Sequence, residues 1–152
     1  MSAAIRSSFV YVTIIRTSPE KLWEALTDPW FIRQYWYGVN VECTWRKGAS
    51  WRMAFPDRRL ADAGEILEID RPRRIVIRWQ NEWNPEMKAE GPSRCTIDLE
   101  PLDGAVKLTI THDGLVPEKE CYSRCSDGWN MIIKEYLFGF ITDGRVAAQL
   151  YR

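Results

Sequence analysis

Residues 18–36 read SPEKLWEALTDPWFIRQYW, and this stretch decides how the rest of the chain is read. Ser18 has the side chain of a helix N-cap, Pro19 suits the first helical position, and Glu20 puts an acid in the first turn. Leu22, Trp23 and Leu26 then lie on one helical face. Asp28-Pro29 repeats the same start signal, so the first helix ends and a second short one begins, carrying Trp30, Phe31, Tyr35 and Trp36. Two short helices in tandem are therefore expected. Upstream, Phe9 to Arg16 (FVYVTIIR) is β-branched and aromatic and predicts a first strand.

Downstream the period changes to two. Val39, Val41, Cys43 and Trp45 alternate with Asn40, Glu42 and Thr44, and after the Lys47-Gly48 turn Trp51, Met53 and Phe55 continue the alternation. Pro56 to Ala61 reads as a loop, and Gly64–Ile69 and Arg73–Trp83 as strands around Asp70-Arg71-Pro72. The second of these sets Ile75, Ile77 and Trp79 on one face, opposite Val76 and Arg78. Two prolines and a glycine make residues 84–92 a long loop. Cys95, Ile97 and Leu99 alternate again. Asp103-Gly104 is the strongest hairpin signal in the chain, and Val106, Leu108, Ile110 and His112 form the returning strand.

Past Pro117 the period becomes helical. Cys125, Trp129, Ile132, Ile133, Tyr136, Leu137, Phe140 and Ile141 describe one long apolar face, with Gly144 suited to the C′ position and Gly128 weakening the helix locally. The order is one strand, two short helices, about six antiparallel strands and a long helix. The expected fold class is α+β: a curved antiparallel meander of about seven strands, closed by the C-terminal helix over an apolar cavity. No repeat or linker divides it, so residues 1–152 are read as one domain with its core at about 9–145.

Composition narrows the function classes. Hydrophobic residues make up 45% and charged residues 28%, which is a globular balance. Lys plus Arg and Asp plus Glu both count 21, so there is no basic surplus of the kind nucleic-acid binding needs. No apolar run approaches the roughly 20 residues of a membrane span, and Met1 to Arg6 lacks a signal-peptide core. A cytoplasmic location is expected, with the four cysteines as free thiols. Their spacing suggests no metal site, and the glycines frame no phosphate loop, so no cofactor is expected.

The chain resembles the helix-grip (SRPBCC) superfamily that includes START lipid-transfer domains and Bet v 1-like proteins. Within it, the chain is most similar to the small bacterial relatives of the C-terminal domain of the activator of Hsp-90 ATPase. The resemblance runs from about Phe9 to Arg145. It is carried by Ser18 to Trp23 with Leu26-Thr27-Asp28-Pro29 and Tyr35-Trp36, by Gly64 to Glu68, and by the Pro72-Arg73-Arg74 turn with Trp79. Thr111-His112-Asp113-Gly114 and Asp127-Gly128-Trp129 complete the pattern. It implies the helix-grip fold. Its activities range from transfer and hormone reception to cyclisation.

The expected function is binding of a small hydrophobic or aromatic molecule between sheet and C-terminal helix. From the sheet the expected lining is Trp51, Met53, Phe55, Ile77, Trp79, Ile97, Leu108, Ile110 and His112. Trp36 would contribute from the second short helix, and Trp129, Ile133 and Tyr136 from the long one. The eight tryptophans either line the space or fill it. His112, the single histidine, is either a polar handle on the ligand or a structural anchor near the end of its strand. Glu65 and Glu68 sit in a strand whose facing depends on whether Gly64 makes a bulge. Two other functions stay open: an acid/base enzyme using His112 or Glu65, and a chaperone-accessory protein of the Hsp-90 activator type. A monomer or a homodimer fits equally.

Overall fold

The architecture was established from a computed structural model, which describes residues 7–36 and 38–115. The expected long C-terminal helix, with Trp129, Ile133 and Tyr136, lies outside the described residues. β1 (Ser7–Ile15) leads through Arg16 and Thr17 into α1 (Pro19–Thr27) and then α2 (Pro29–Tyr35). The caps act as the sequence dictates. Ser18 Oγ accepts from the Lys21 N–H at 3.1 Å, and Asp28 Oδ1 accepts from the Trp30 N–H at 2.8 Å. Asp28 closes one helix and opens the next, since its own N–H bonds back to the Glu24 carbonyl. Tyr35 locks the pair together. Its buried hydroxyl donates to the Ala25 carbonyl at 2.6 Å.

Six further strands follow: β2 (Asn40–Glu42), β3 (Ser50–Ala54), β4 (Leu60–Asp70), β5 (Arg74–Asn81), β6 (Ser93–Leu102) and β7 (Ala105–Leu115). They form one antiparallel sheet of seven strands in the order β1-β7-β6-β5-β4-β3-β2. The Asp103-Gly104 turn joins β6 to β7, with Leu102 paired to Ala105 and Gly104 at positive φ. β1 returns to the edge beside β7, so the meander from β2 to β7 is completed by the first strand. The core occupies one face of the sheet, where α1 and α2 join Ile66, Ile75, Ile77, Ile97, Leu108 and Ile110.

Three expectations need correction. β4 begins at Leu60, not Gly64, because Leu60 already pairs with Ala54 and Asp62 with Met53 on β3. β2 is only three residues long, since Trp45 takes a positive φ and leaves the extended conformation. Residues 84–92 are not all loop: α3 (Pro85–Ala89) is capped by Asn84 Oδ1, which accepts from the N–H groups of Glu86 and Met87.

Candidate functional site

The register of the sheet brings distant residues together on its inner face. Trp51 on β3 and Trp79 on β5 both pair with Gly64 on β4, which lies between them. Gly64 presents no side chain, and a Cβ there would collide with the Arg78 carbonyl oxygen. The two indoles therefore close over bare backbone, with ring centroids 4.3 Å apart. Trp36, at the end of α2, stacks on Trp79 at 6.0 Å. An aromatic wall results, buried at Trp51 and half-exposed at Trp36 and Trp79.

Two ionisable groups sit against this wall. Asp62 precedes Gly64 by two residues on β4 and so shares its face; its carboxyl is only 9% exposed. Oδ1 accepts from the Trp79 indole N–H at 3.0 Å and from the Asn81 amide at 3.4 Å. Burial pushes the Asp62 carboxyl up to about 7, against the pull of the Trp79 hydrogen bond and with help from the nearby Glu82 carboxylate. His112 on β7 meets the Trp79 ring edge-on at 5.5 Å between centroids. Its Nδ1 lies 3.2 Å from Ser93 Oγ, and Ser93 is the β6 partner of Trp79. Burial holds the imidazole down at about 4, although Asp113 acts in the opposite direction. Burial thus favours the neutral form of both groups.

The expected lining residues divide as follows. Trp36, Trp51, Met53, Ile77, Trp79 and Ile97 border a cavity of about 20 Å³ between α2 and the sheet, room for roughly one water. Leu26, Ile32, Val41, Trp45 and Ile75 complete that border and were not on the expected list. Leu108, Ile110 and His112 are fully buried on the same face but do not border this cavity. Phe55 is half-buried elsewhere, packed edge-on to Trp83 at 6.5 Å and beneath Arg59. Four tryptophans, Trp36, Trp45, Trp51 and Trp79, border this cavity.

Glu65 and Glu68 face outward. Glu65 lies 3.5 Å from Arg78, and Glu68 3.3 Å from Arg74, which also reaches Asp98 at 3.0 Å. The bulges that affect this strand fall at Ala61 and between Ile66 and Glu68 instead of at Gly64. An acid/base role for Glu65 on the inner face is thereby removed, and Asp62 occupies the position that such a group requires. Asp62 is the residue that the sequence pattern missed. Extending the alternation Ile66, Gly64 back by one step would have found it.

Among the described residues no group of His, Cys, Asp and Glu is arranged to hold a metal. Cys43 and Cys95 are not disulfide-bonded, and no described helix is long and apolar enough to cross a membrane.

No curated protein matches the chain in sequence. Solved structures do match in fold. PFC0360w, an HSP90 activator from Plasmodium falciparum, is 24% identical with a TM-score of 0.68, covering 88% of this chain and 92% of its own. MLL2253 from Mesorhizobium loti is 21% identical with a TM-score of 0.75, covering 90% and 99%. The Aha1 dimer from Colwellia psychrerythraea is 13% identical with a TM-score of 0.74, covering 91% and 98%. The family model described as Activator of Hsp90 ATPase homolog 1-like protein matches residues 16–137. That span contains α1, α2, every strand after β1 and the Asp62–Trp79–His112 cluster, and the chain belongs to this family.

Proposed function

We propose that the protein binds a small hydrophobic or aromatic molecule against the indole wall of its inner sheet face. The observation that carries this reading is the burial of Asp62 and His112 against the same indole on an otherwise apolar face. A buried ionisable group costs stability unless it is fully paired. A core that only had to pack would be better served by apolar residues at both positions. The cavity near α2 is too small for such a ligand, so docking would use the partly exposed indoles of Trp36 and Trp79 beside it. Native mass spectrometry of freshly purified protein tests it, followed by tryptophan-fluorescence titration with a panel of aromatic compounds. A retained adduct or saturable quenching is expected. Neither being observed would end this reading.

A second reading, a chaperone-accessory role, is favoured by the family match over residues 16–137 and by the likeness to the Plasmodium HSP90 activator. It would use the outer surface. Pull-down with the host Hsp90 homologue and an ATPase assay test it, and the absence of both binding and stimulation disposes of it. In either case two copies would join along β1. This edge is long and shows Val10, Val12 and Ile14 at 50 to 58% exposure, whereas the opposite edge, β2, spans three residues. A mass measured by light scattering that stays monomeric across concentration would exclude that assembly.

A further inference from the structure

We propose that the inner-face site selects a hydrophobic amine, its ammonium paired with the Asp62 carboxylate beside the Trp79 indole. The proposal rests on the small-molecule reading and adds the chemical class of the ligand.

The carboxyl is positioned for a third partner. Both of its hydrogen bonds, from Trp79 and Asn81, end on Oδ1, and among the described residues nothing donates to Oδ2. Two fixed N–H donors hold its orientation in advance, which lowers the cost of binding. Among the described residues its surroundings lack a counter-charge. Among the described strand residues that face inward, Asp62 is the only carboxylate, and neither Lys nor Arg is present. Just past β5, Glu82 adds a second negative charge, and its partner Lys88 on α3 lies 2.7 Å away, so that pair is internally neutral. On β7 the imidazole of His112 is uncharged, and Met53, the partner of Asp62 on β3, carries no charge. Among the described residues one negative charge is left over. An anion would be repelled there, and a neutral ligand would leave the carboxylate desolvated and unpaired. An ammonium gains a charge-assisted hydrogen bond there. The stacked, partly buried rings of Trp36 and Trp79 lie beside it as the platform for an apolar body.

The experiment compares tryptamine with indole-3-ethanol, which share an apolar body and differ in the ammonium. Calorimetric titration uses the whole chain at about pH 6 and about pH 8, either side of the carboxyl's titration, where an alkylammonium stays charged. At the higher pH tryptamine is expected to bind about tenfold tighter or more. The preference should shrink at the lower pH, where Asp62 holds its proton, and vanish in Asp62→Asn. Equal binding at the higher pH, or a preference that survives Asp62→Asn, overturns the proposal. Should that variant fail to fold, a wild-type preference that does not change with pH overturns it instead. If the alcohol binds as well as the amine, the small-molecule reading stands and the amine does not. If neither binds, both fall.

Discussion

Trp79 and Asp62 are joined by one hydrogen bond, indole Nε1 to carboxyl Oδ1 at 3.0 Å, across the ladder between β5 and β4. The same ring meets His112, so an acid shifted up and a base shifted down share one aromatic neighbour.

Their pH dependences oppose each other. Burial raises Asp62 from 3.8 to about 7, so between these values the folded state holds a proton that the unfolded chain has lost. Stability from this group is present at low pH and declines as pH rises through 7. Burial lowers His112 from 6.5 to about 4, so its contribution is full above 6.5 and declines as pH falls toward 4. The wild type is therefore expected to vary little over that shared range on account of these two groups. Asp62→Asn should expose the histidine slope, with stability rising by on the order of 3 kcal/mol from about pH 4 to 6.5. His112→Gln should expose the opposite slope of similar size. Urea unfolding across pH measures both, and parallel profiles in the two variants would refute the assignment.

Gly64→Ala puts a methyl group onto the Arg78 carbonyl oxygen, a rigid backbone atom in the middle of the β4–β5 ladder. The strands must separate or twist to admit it. We expect a loss of about 3 kcal/mol or more, in the range of severe single substitutions. Thermal and urea unfolding followed by tryptophan fluorescence give the number. A variant within about 1 kcal/mol of wild type would show that the strand yields easily.

Tyr35→Phe removes the hydroxyl that ties α2 to α1 and leaves the Ala25 carbonyl without that donor in a buried position. The phenol itself stays neutral, since burial pushes its titration far above the ordinary range. The expected loss is about 1–3 kcal/mol at the urea midpoint, with unchanged far-ultraviolet circular dichroism.

Glu65→Gln and Glu68→Gln should do little. Their partners Arg78 and Arg74 keep much of their side chains in water, and exposed ion pairs contribute about 0–1 kcal/mol. Ligand titrations should be unaffected too. A marked loss of binding in either variant would contradict the outward facing of these carboxylates.

Local signals made much of the fold legible. Ser18, Asp28 and the Asp103-Gly104 turn each encode their geometry within a few residues, and the structure uses all of them. Asn84-Pro85-Glu86 carries the same helix-start chemistry as Asp28-Pro29. It was obscured because Gly91 and Pro92 follow too closely for a helix of ordinary length. Val76, placed outward by alternation, is nonetheless fully buried, with Thr96 as its β6 partner. Its β4 partner Glu68 bridges to Arg74 on that outer face, a cross-strand link that alternation does not encode. The site was harder to see. Asp62 looked like the end of a loop, and the meeting of Trp51 and Trp79 depends on register across two ladders, set by residues far apart in sequence.

The bare backbone at Gly64 has an optical consequence. Two indoles held 4.3 Å apart and tilted by 49° couple their electronic transitions, and the coupled pair rotates polarised light as one chromophore. The protein thus carries an unlabelled reporter at the centre of its inner face. Its signal follows the angle between the two rings, so any occupant that pushes Trp79 aside would announce itself in the dichroism spectrum.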